Sequence, residues 1–428
     1  MTADRRPRKR TRPAARHTLA AAVATLVLTA LVAACGEAIA GTPSTYRYDF
    51  AGRPDAPQPF TAAGWDVQVH MRDHNLRPGQ LDPMQAEHGP GCEGPHMTHH
   101  VSTVEQAVFL CRDHVMTAIH AEDYGLIYLT PEHLVDFSGG EAVIRIDVNT
   151  HRGSTRDWWD LWITPWDDQL VRPFDLGNVD LQGPPRNALH VRMLSENALC
   201  IDEYRDGVAI TPHHLESGCA WWAPYESWLT PDAARRDTFE IRISATQVSV
   251  GMPTYDRTFH VWTPPTPIPW RQGIVQLGHH SYTPTKDGAG APHTWHWDDL
   301  EIDPAVPFHM IRAVGGPHAY VRSAADHPCD DDCTVAFDHP APADAHLRFV
   351  AWGTVDIDVG DGLRRVEGNR PRTKHEHAMS YFVPIPEGTQ SVRFRFGDSG
   401  WWSAGRGAMA TGFGIWSRAA DEVGAGHD

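Results

Sequence analysis

The chain has 428 residues and a formal net charge of −17 with histidine counted as neutral. This acidic balance argues against nucleic acid as a partner, because binding to phosphates requires a basic surface. The length exceeds what one ordinary hydrophobic core accommodates, so we expect at least two domains.

The first 35 residues have the layout of an export signal. Residues 5–16 are rich in arginine, and residues 18–35 are uncharged and largely apolar. The apolar run is short for a membrane-spanning helix and has no basic flank after it. A basic stretch, an apolar stretch and small residues before a break are instead typical of a signal peptide, which is removed and takes no part in the fold.

The end of this segment is more specific, because residues 31–36 read LVAACG. This string resembles the lipobox of bacterial lipoproteins, in which the cysteine is acylated and becomes the first mature residue. The resemblance implies a signal peptide at 1–34, a palmitate-type lipid on Cys35, a tether at 35–45 and a place on the extracytoplasmic face of the cell membrane. An ordinary secretory signal that contains a cysteine is the alternative.

Cysteine usage agrees with this compartment. The chain has seven cysteines, and setting Cys35 aside leaves an even number. These six fall into three sequence-local pairs: Cys92 with Cys111, Cys200 with Cys219, and Cys329 with Cys333. Disulfides persist in oxidising compartments, although their connectivity cannot be deduced from sequence alone. The pattern therefore predicts a disulfide-bonded, exported protein.

Beyond the tether the sequence reads as many short strands. Alternating or β-branched runs recur, and turns rich in glycine and proline separate them. Two prolines at 304 and 307 indicate a boundary. We therefore predict an all-β chain with a jelly-roll domain at 46–305, a smaller β-sandwich at 306–420 and a tail at 421–428. Residues 102–112 are ambiguous, since STVE resembles a capping box that opens a helix.

The order of the strand motifs points to a family. DFSGGEAVIRIDV is followed by DWWDLWITPW, FEIRISATQVSVGMP, QLGHHSY and HTWHWDDLEI. Over residues 46–303 this order resembles the concanavalin A-like lectin and glucanase jelly roll. The resemblance implies a curved sheet whose concave face binds an extended carbohydrate, such as a polysaccharide or cell-wall glycan. It also implies a structural calcium near the last strand, with Asp298, Asp299 and Glu301 as ligands by position; a solvated strand face is the alternative.

Catalysis is less well supported than binding. Retaining glucanases of this fold carry E-x-D-x-x-E on one strand, and this sequence has no such string. A different acid pair, such as Asp157 and Asp160, would lie on opposite sides of a strand, which makes them poor partners. A carbohydrate-binding function is thus preferred. A polysaccharide hydrolase or lyase and a structural or protein-partner module remain as alternatives.

Tryptophan supplies the candidate sugar contacts, and the chain has 16 of them. An indole ring stacks on the apolar face of a sugar while its N–H reaches a hydroxyl. In DWWDLW, alternation places Trp158, Asp160 and Trp162 on one side of the strand, and we assign that side to the cleft. The further candidates are Arg192, Trp221 and Trp222. Tryptophan also packs well in sandwich cores, which is the competing interpretation.

Histidine is also abundant, with 27 residues. HTWHWDD and PHMTHH each place several histidines within a short stretch. A zinc or copper site needs three or four ligands that converge in space, and polar surface histidines explain the same pattern. The sequence therefore establishes no particular cofactor, and calcium is the cation that it favours.

Overall fold

The computed structural model describes a set of segments that together carry both predicted sandwiches. Cys35, Cys92, Trp222 and Cys329 lie outside the described residues, as do the predicted signal peptide and tail. The described residues are 44–50, 58–60, 62–71, 108–111, 113–119, 125–149, 157–166, 187–194, 198–211, 219–221, 236–281, 293–315, 320–323, 332–352, 355–366, 379–396 and 408–418.

The first sheet contains 18 antiparallel strands, which carry the motifs of the predicted jelly roll. These strands are β1 (Ser44–Tyr48), β2 (Gln58–Pro59), β3 (Trp65–Met71), β4 (Val108–Leu110), β5 (Val115–Ile119), β6 (Gly125–Pro131), β7 (His133–Asp136), β8 (Ala142–Asn149), β9 (Asp157–Thr164), β10 (Ala188–Leu194), β11 (Ala198–Arg205), β12 (Val208–Ala209), β13 (Cys219–Trp221), β14 (Arg236–Ile243), β15 (Val248–Met252), β16 (Arg257–Trp262), β17 (Gln272–Ser281) and β18 (His293–Pro307).

Strand pairing divides this sheet into two layers. Layer 1 runs β3–β6–β17–β9–β10–β11, with β12 and β13 pairing on β11. Layer 2 runs β5–β18–β8–β14–β15–β16, with β1 on β18. Strand β7 pairs with both β17 and β18 and so joins the layers.

The core of the first sandwich lies between these layers. Alternate residues of each strand enter it, as β14 illustrates: Phe239, Ile241 and Ile243 are buried while their neighbours are more exposed. Layer 1 contributes Trp159 and Leu161 among others to the same cluster. This period of two is what the strand patterns predicted, because successive side chains of a strand point to opposite faces.

The second sandwich begins after Pro307 and has its own core. One sheet has the order β19-β27-β22-β25 with β20 also on β27, and the other has the order β21-β26-β23-β24. These strands are β19 (His309–Arg312), β20 (Tyr320–Ser323), β21 (Asp332–Ala336), β22 (His346–Trp352), β23 (Val355–Asp358), β24 (Arg364–Arg365), β25 (Met379–Pro384), β26 (Ser391–Phe396) and β27 (Ala408–Ser417).

The predicted fold class, an all-β chain with a large sandwich followed by a smaller one, is confirmed. The predicted boundary at 305/306 remains a prediction; β18 itself continues to Pro307, and residues 41–428 form one compact unit. The helix considered for 102–112 is wrong where the structure describes it, since Val108–Leu110 is a strand. Within the described residues, a short 3-10 helix at Pro253–Tyr255 is present, and no helix is long and apolar enough to span a membrane.

Candidate functional site

Strand β9 separates its side chains cleanly. Trp159, Leu161 and Ile163 lie in the core between the layers. Asp160 and Trp162 therefore point to the other face of layer 1, the side that the sequence assigned to the cleft. Both are fully buried, so this face is covered rather than open to solvent.

The register across layer 1 arranges two rows of mostly polar residues on this outer face. The first row runs Gln68–Tyr128–Gly278–Asp160–Arg192, and each residue is the cross-strand partner of the next. The second row runs Gln276–Trp162–His190–Asp202. We call these nine residues, together with Tyr204 on β11, the polar face.

His190 is the central hydrogen-bonding group of the polar face. Its Nε2–H donates to Asp160 Oδ2 at 3.0 Å, because a carboxylate only accepts. Its Nδ1 lies 3.9 Å from Asp202 Oδ2. Burial lowers the pKa of His190, and the hydrogen bond to Asp160 only partly opposes this effect. The imidazole is therefore neutral near pH 7.

Asp202 is better compensated than Asp160. Arg192 Nη2 lies 3.1 Å from Asp202 Oδ2. The hydroxyl of Thr211 donates to Asp202 Oδ1 at 3.3 Å. One carboxylate of the polar face thus has a guanidinium and a hydroxyl as partners, while the other has the neutral imidazole of His190.

The aromatic rings pack among these groups. Trp162 stacks on His190 with ring centroids 3.7 Å apart and 7° between the planes, and Tyr204 lies 5.9 Å from Trp162. Burial raises the pKa of the Tyr128 hydroxyl well above its usual value, so that this phenol stays protonated. Trp162 therefore packs inside the network, with one ring face against an imidazole.

Gly278 allows Asp160 to lie flat on the sheet. A Cβ atom at position 278 would lie 1.6 Å from Asp160 Oδ1 and 3.1 Å from Cε1 of Tyr128. No side chain fits there while Asp160 keeps its place. The close approach explains why a glycine occupies the middle of a fully paired strand, a position where it otherwise weakens the strand.

Several buried polar atoms of this face have no hydrogen-bond partner among the described residues. Among them are Oδ1 of Asp160, Oε1 of Gln276, both amide atoms of Gln68 and Nε of Arg192. Gln276 uses its Nε2 to donate to the hydroxyl of Thr130 at 3.1 Å, which fixes the amide and leaves its oxygen pointing elsewhere. Buried acceptors of this kind are costly unless something donates to them.

The other predicted sugar contacts are distributed as follows. Arg192 joins Asp160 and Trp162 on the polar face. Trp158 lies in β9 and Trp221 in β13, where only their backbones are described. Sequence reasoning missed His190, Asp202 and Gln276. The available signal was alternation, because each of them lies next to apolar core residues in its strand and so faces away from the core.

The predicted calcium ligands lie in layer 2 and are engaged by arginines. Asp298 Oδ2 is 3.2 Å from Arg236, while Glu301 pairs with both Arg47 and Arg145. Burial raises the pKa of Asp298 to about 6. No group of three metal-ligating side chains converges within the described part of the chain. Calcium at Asp298, Asp299 and Glu301 remains a prediction.

Two features bear on the predicted disulfides. Cys200 is fully buried, and the register places it directly opposite Cys219 on β13. Cys111 and Cys333 are also buried, while their predicted partners lie outside the described residues.

Comparison with solved structures finds distant matches. A β-glucanase of Bacillus licheniformis is 9% identical, with 58% of this chain and 98% of that chain covered and a TM-score of 0.34. A Bacillus subtilis protein of unknown function with a galectin-like fold is 11% identical, with 61% and 100% covered and a TM-score of 0.32. The VIP36 exoplasmic/lumenal domain, in a Ca²⁺/Man3GlcNAc-bound form, is 10% identical, with 60% and 90% covered and a TM-score of 0.34.

No family model matches the chain. No curated protein matches it either. These three structures have lectin or glucanase names or a galectin-like fold, and at TM-scores of 0.34 or less they carry no further argument about this chain.

Proposed function

We propose that this chain is an extracytoplasmic lipoprotein, held to the cell membrane by a lipid on Cys35, that binds carbohydrate at the polar face of layer 1. The ligand is a polysaccharide or cell-wall glycan. The predicted disulfides stabilise the chain in that oxidising compartment.

One observation carries the binding function. The polar face places hydrogen-bonding side chains and aromatic rings side by side on adjacent strands, where a sandwich needs only solvated or apolar residues. Gln276 and Asp160 each offer a buried oxygen with no hydrogen-bond partner among the described residues. Both oxygens are fully buried, so a sugar reaches them only where this face opens. Its hydroxyls then donate to these acceptors, and indole or phenol rings pack on the apolar faces of sugar rings.

The compartment is supported by the residues around Cys35 and by the cysteines. The LVAACG string, its basic and apolar flanks and the even number of remaining cysteines agree with one another. The cross-strand position of Cys200 and Cys219 supports a bond between these two, because directly opposed residues of a sheet lie close enough for a disulfide.

Affinity electrophoresis tests the proposal. A chain that starts at Gly36 keeps the compact unit 41–428 whole and lacks the lipidated cysteine. We expect gels that contain the right polysaccharide to retard it, and Gln276→Leu to reduce the retardation. If a panel of neutral, cationic and acidic polymers leaves the folded, oxidised protein unretarded, the carbohydrate proposal is wrong. Labelling of Cys35 by radioactive palmitate in a bacterial host tests the anchor separately.

One observation keeps a hydrolase or lyase as the second candidate. Asp160 and Asp202 flank the two nitrogens of His190, at 3.0 Å and 3.9 Å. Their carboxylates are therefore no more than about 9 Å apart, a limit that admits the spacing of a glycosidase acid pair. Release of reducing ends or of unsaturated products from the retained polysaccharide, lost in Asp202→Asn, would favour catalysis over binding.

A further inference from the structure

The outer face of layer 2 carries a row of alternating charges that crosses β18, the last strand of the first sandwich. Arg47 on β1, Glu301 on β18, Arg145 on β8 and Glu240 on β14 are successive cross-strand partners. Arg47 Nε donates to Glu301 Oε2 at 2.8 Å, while Arg145 donates to Glu301 Oε1 and to Glu240 Oε2. Both carboxylate oxygens of Glu301 are therefore engaged by guanidinium groups.

Asp298, three residues earlier on β18, is engaged in a similar way. Its Oδ2 lies 3.2 Å from Nη2 of Arg236, the same nitrogen that lies 2.9 Å from Asp113 Oδ2. Its Oδ1 accepts a hydrogen bond of 3.0 Å from the backbone N–H of Asp299, a residue with a φ of 44° in the β-bulge between Asp298 and Glu301. Both oxygens of this carboxylate thus also have N–H partners.

These contacts do not suit the calcium ion that the strand motifs predict here. Calcium takes six to eight oxygen ligands at about 2.3–2.6 Å. Asp298 and Glu301 lie opposite Asp147 and Arg145 of β8, so their positions are about 7 Å apart along the strands, and a guanidinium already contacts each of them. A calcium ion would have to displace these cations before it gained the two carboxylates as ligands.

We propose that arginines take the place of a calcium ion at this strand, so that the first sandwich folds and keeps its stability without the metal. Arg145 is the central group, because it neutralises the carboxylates on both neighbouring strands. Glu240 and Glu301 are only 13% and 14% exposed, so each of them needs a positive partner. The inference concerns the cation of layer 2 and is independent of ligand binding on layer 1.

Thermal unfolding of the chain from Gly36 onward tests the proposal. The midpoint is measured in EDTA and in about 10 mM calcium chloride, a concentration above the dissociation constants of extracellular calcium modules, with sodium chloride keeping the ionic strength equal. We expect equal midpoints. Calcium held by Asp298 and Glu301 with such an affinity would raise the midpoint by about 2 °C or more. A rise of this size that Glu301→Gln abolishes overturns the proposal.

A variant with one arginine removed tests the replacement itself. Arg145→Met leaves Glu240 and Glu301 without their shared guanidinium, so its midpoint should fall, and calcium should recover part of the loss where sodium at equal ionic strength does not. Arg393→Met is the matched control, because Arg393 pairs with Asp358 at 2.8 Å in the second sandwich, and it should show no calcium response. If the two variants respond to calcium equally, the proposal is wrong. The wild-type comparison decides alone if Arg145→Met does not fold.

Discussion

Substitution of Gly278 by alanine should disrupt the polar face through a single added carbon. The new Cβ would lie 1.6 Å from Oδ1 and 2.8 Å from Cγ of Asp160, so the carboxylate has to move and loses its 3.0 Å hydrogen bond from His190. Overpacking together with loss of a buried charged hydrogen bond should lower the free energy of unfolding by about 2–4 kcal/mol. Affinity for the retained glycan should fall by about tenfold or more for the same reason.

Urea denaturation and affinity electrophoresis measure the two effects on the same preparation. Gly139→Ala is the matched control, because a Cβ at position 139 meets nothing within 4 Å. We expect that variant to stay within about 0.5 kcal/mol of the wild-type stability, as surface substitutions usually do. A Gly278→Ala protein as stable as the control, with unchanged glycan affinity, would refute the placement of Asp160 against the sheet.

Three further predictions concern stability. Arg348 is buried beside Asp66 and stacks on Trp416 at 4.2 Å. Asp66→Ala should therefore lower the free energy of unfolding, measured by urea denaturation, by about 3–5 kcal/mol, and adding Arg348→Met should restore much of it. A loss that persists in the double variant contradicts this reasoning. Burial lowers the pKa of His133 to about 4, so stability should fall as pH drops from 6.5 towards 4, where the unfolded chain binds more protons. His133→Phe, which keeps the stacking on Tyr46, should flatten this fall by about 1–2 kcal/mol once partial exposure is allowed for, and an unchanged profile would count against it. Cys200→Ser should lower the free energy of unfolding by about 2–4 kcal/mol relative to the wild type when both proteins are oxidised, and should change it little when both are reduced. Equal losses under the two conditions would argue against a disulfide at Cys200.

Much of the fold follows from local sequence. The alternation in FEIRISATQVSV fixes which residues of β14 and β15 enter the core, and DWWDLW fixes the two faces of β9. These patterns are readable because a strand has a side-chain period of two, and each strand carries its own pattern.

The composition of the polar face did not follow in the same way. Asp160, His190 and Asp202 lie on three strands, and only the register β9–β10–β11 brings them together. The approach of Asp160 to Gly278 likewise depends on the register of β9 with β17. Register is set by turns and by packing of whole strands, so a single sequence does not reveal these pairs.

The same limit applies to the tryptophans. Trp162 lies on the side of β9 away from the core of the first sandwich, fully buried beside Tyr128 and Ala188. Its stacking on His190 depends on a residue that no motif singled out. The high tryptophan count indicated sugar binding without showing which rings are packed. Three of the fully buried ones, Trp159, Trp295 and Trp297, belong to the core of the first sandwich.

A crystal structure of the chain from Gly36 onward, bound to an oligosaccharide of the retained glycan, tests the central claim most directly. We expect a sugar ring on the polar face, with donors within hydrogen-bond distance of Asp160 Oδ1 and Gln276 Oε1. A sugar bound only on the second sandwich, with these two oxygens still unengaged, would contradict the account.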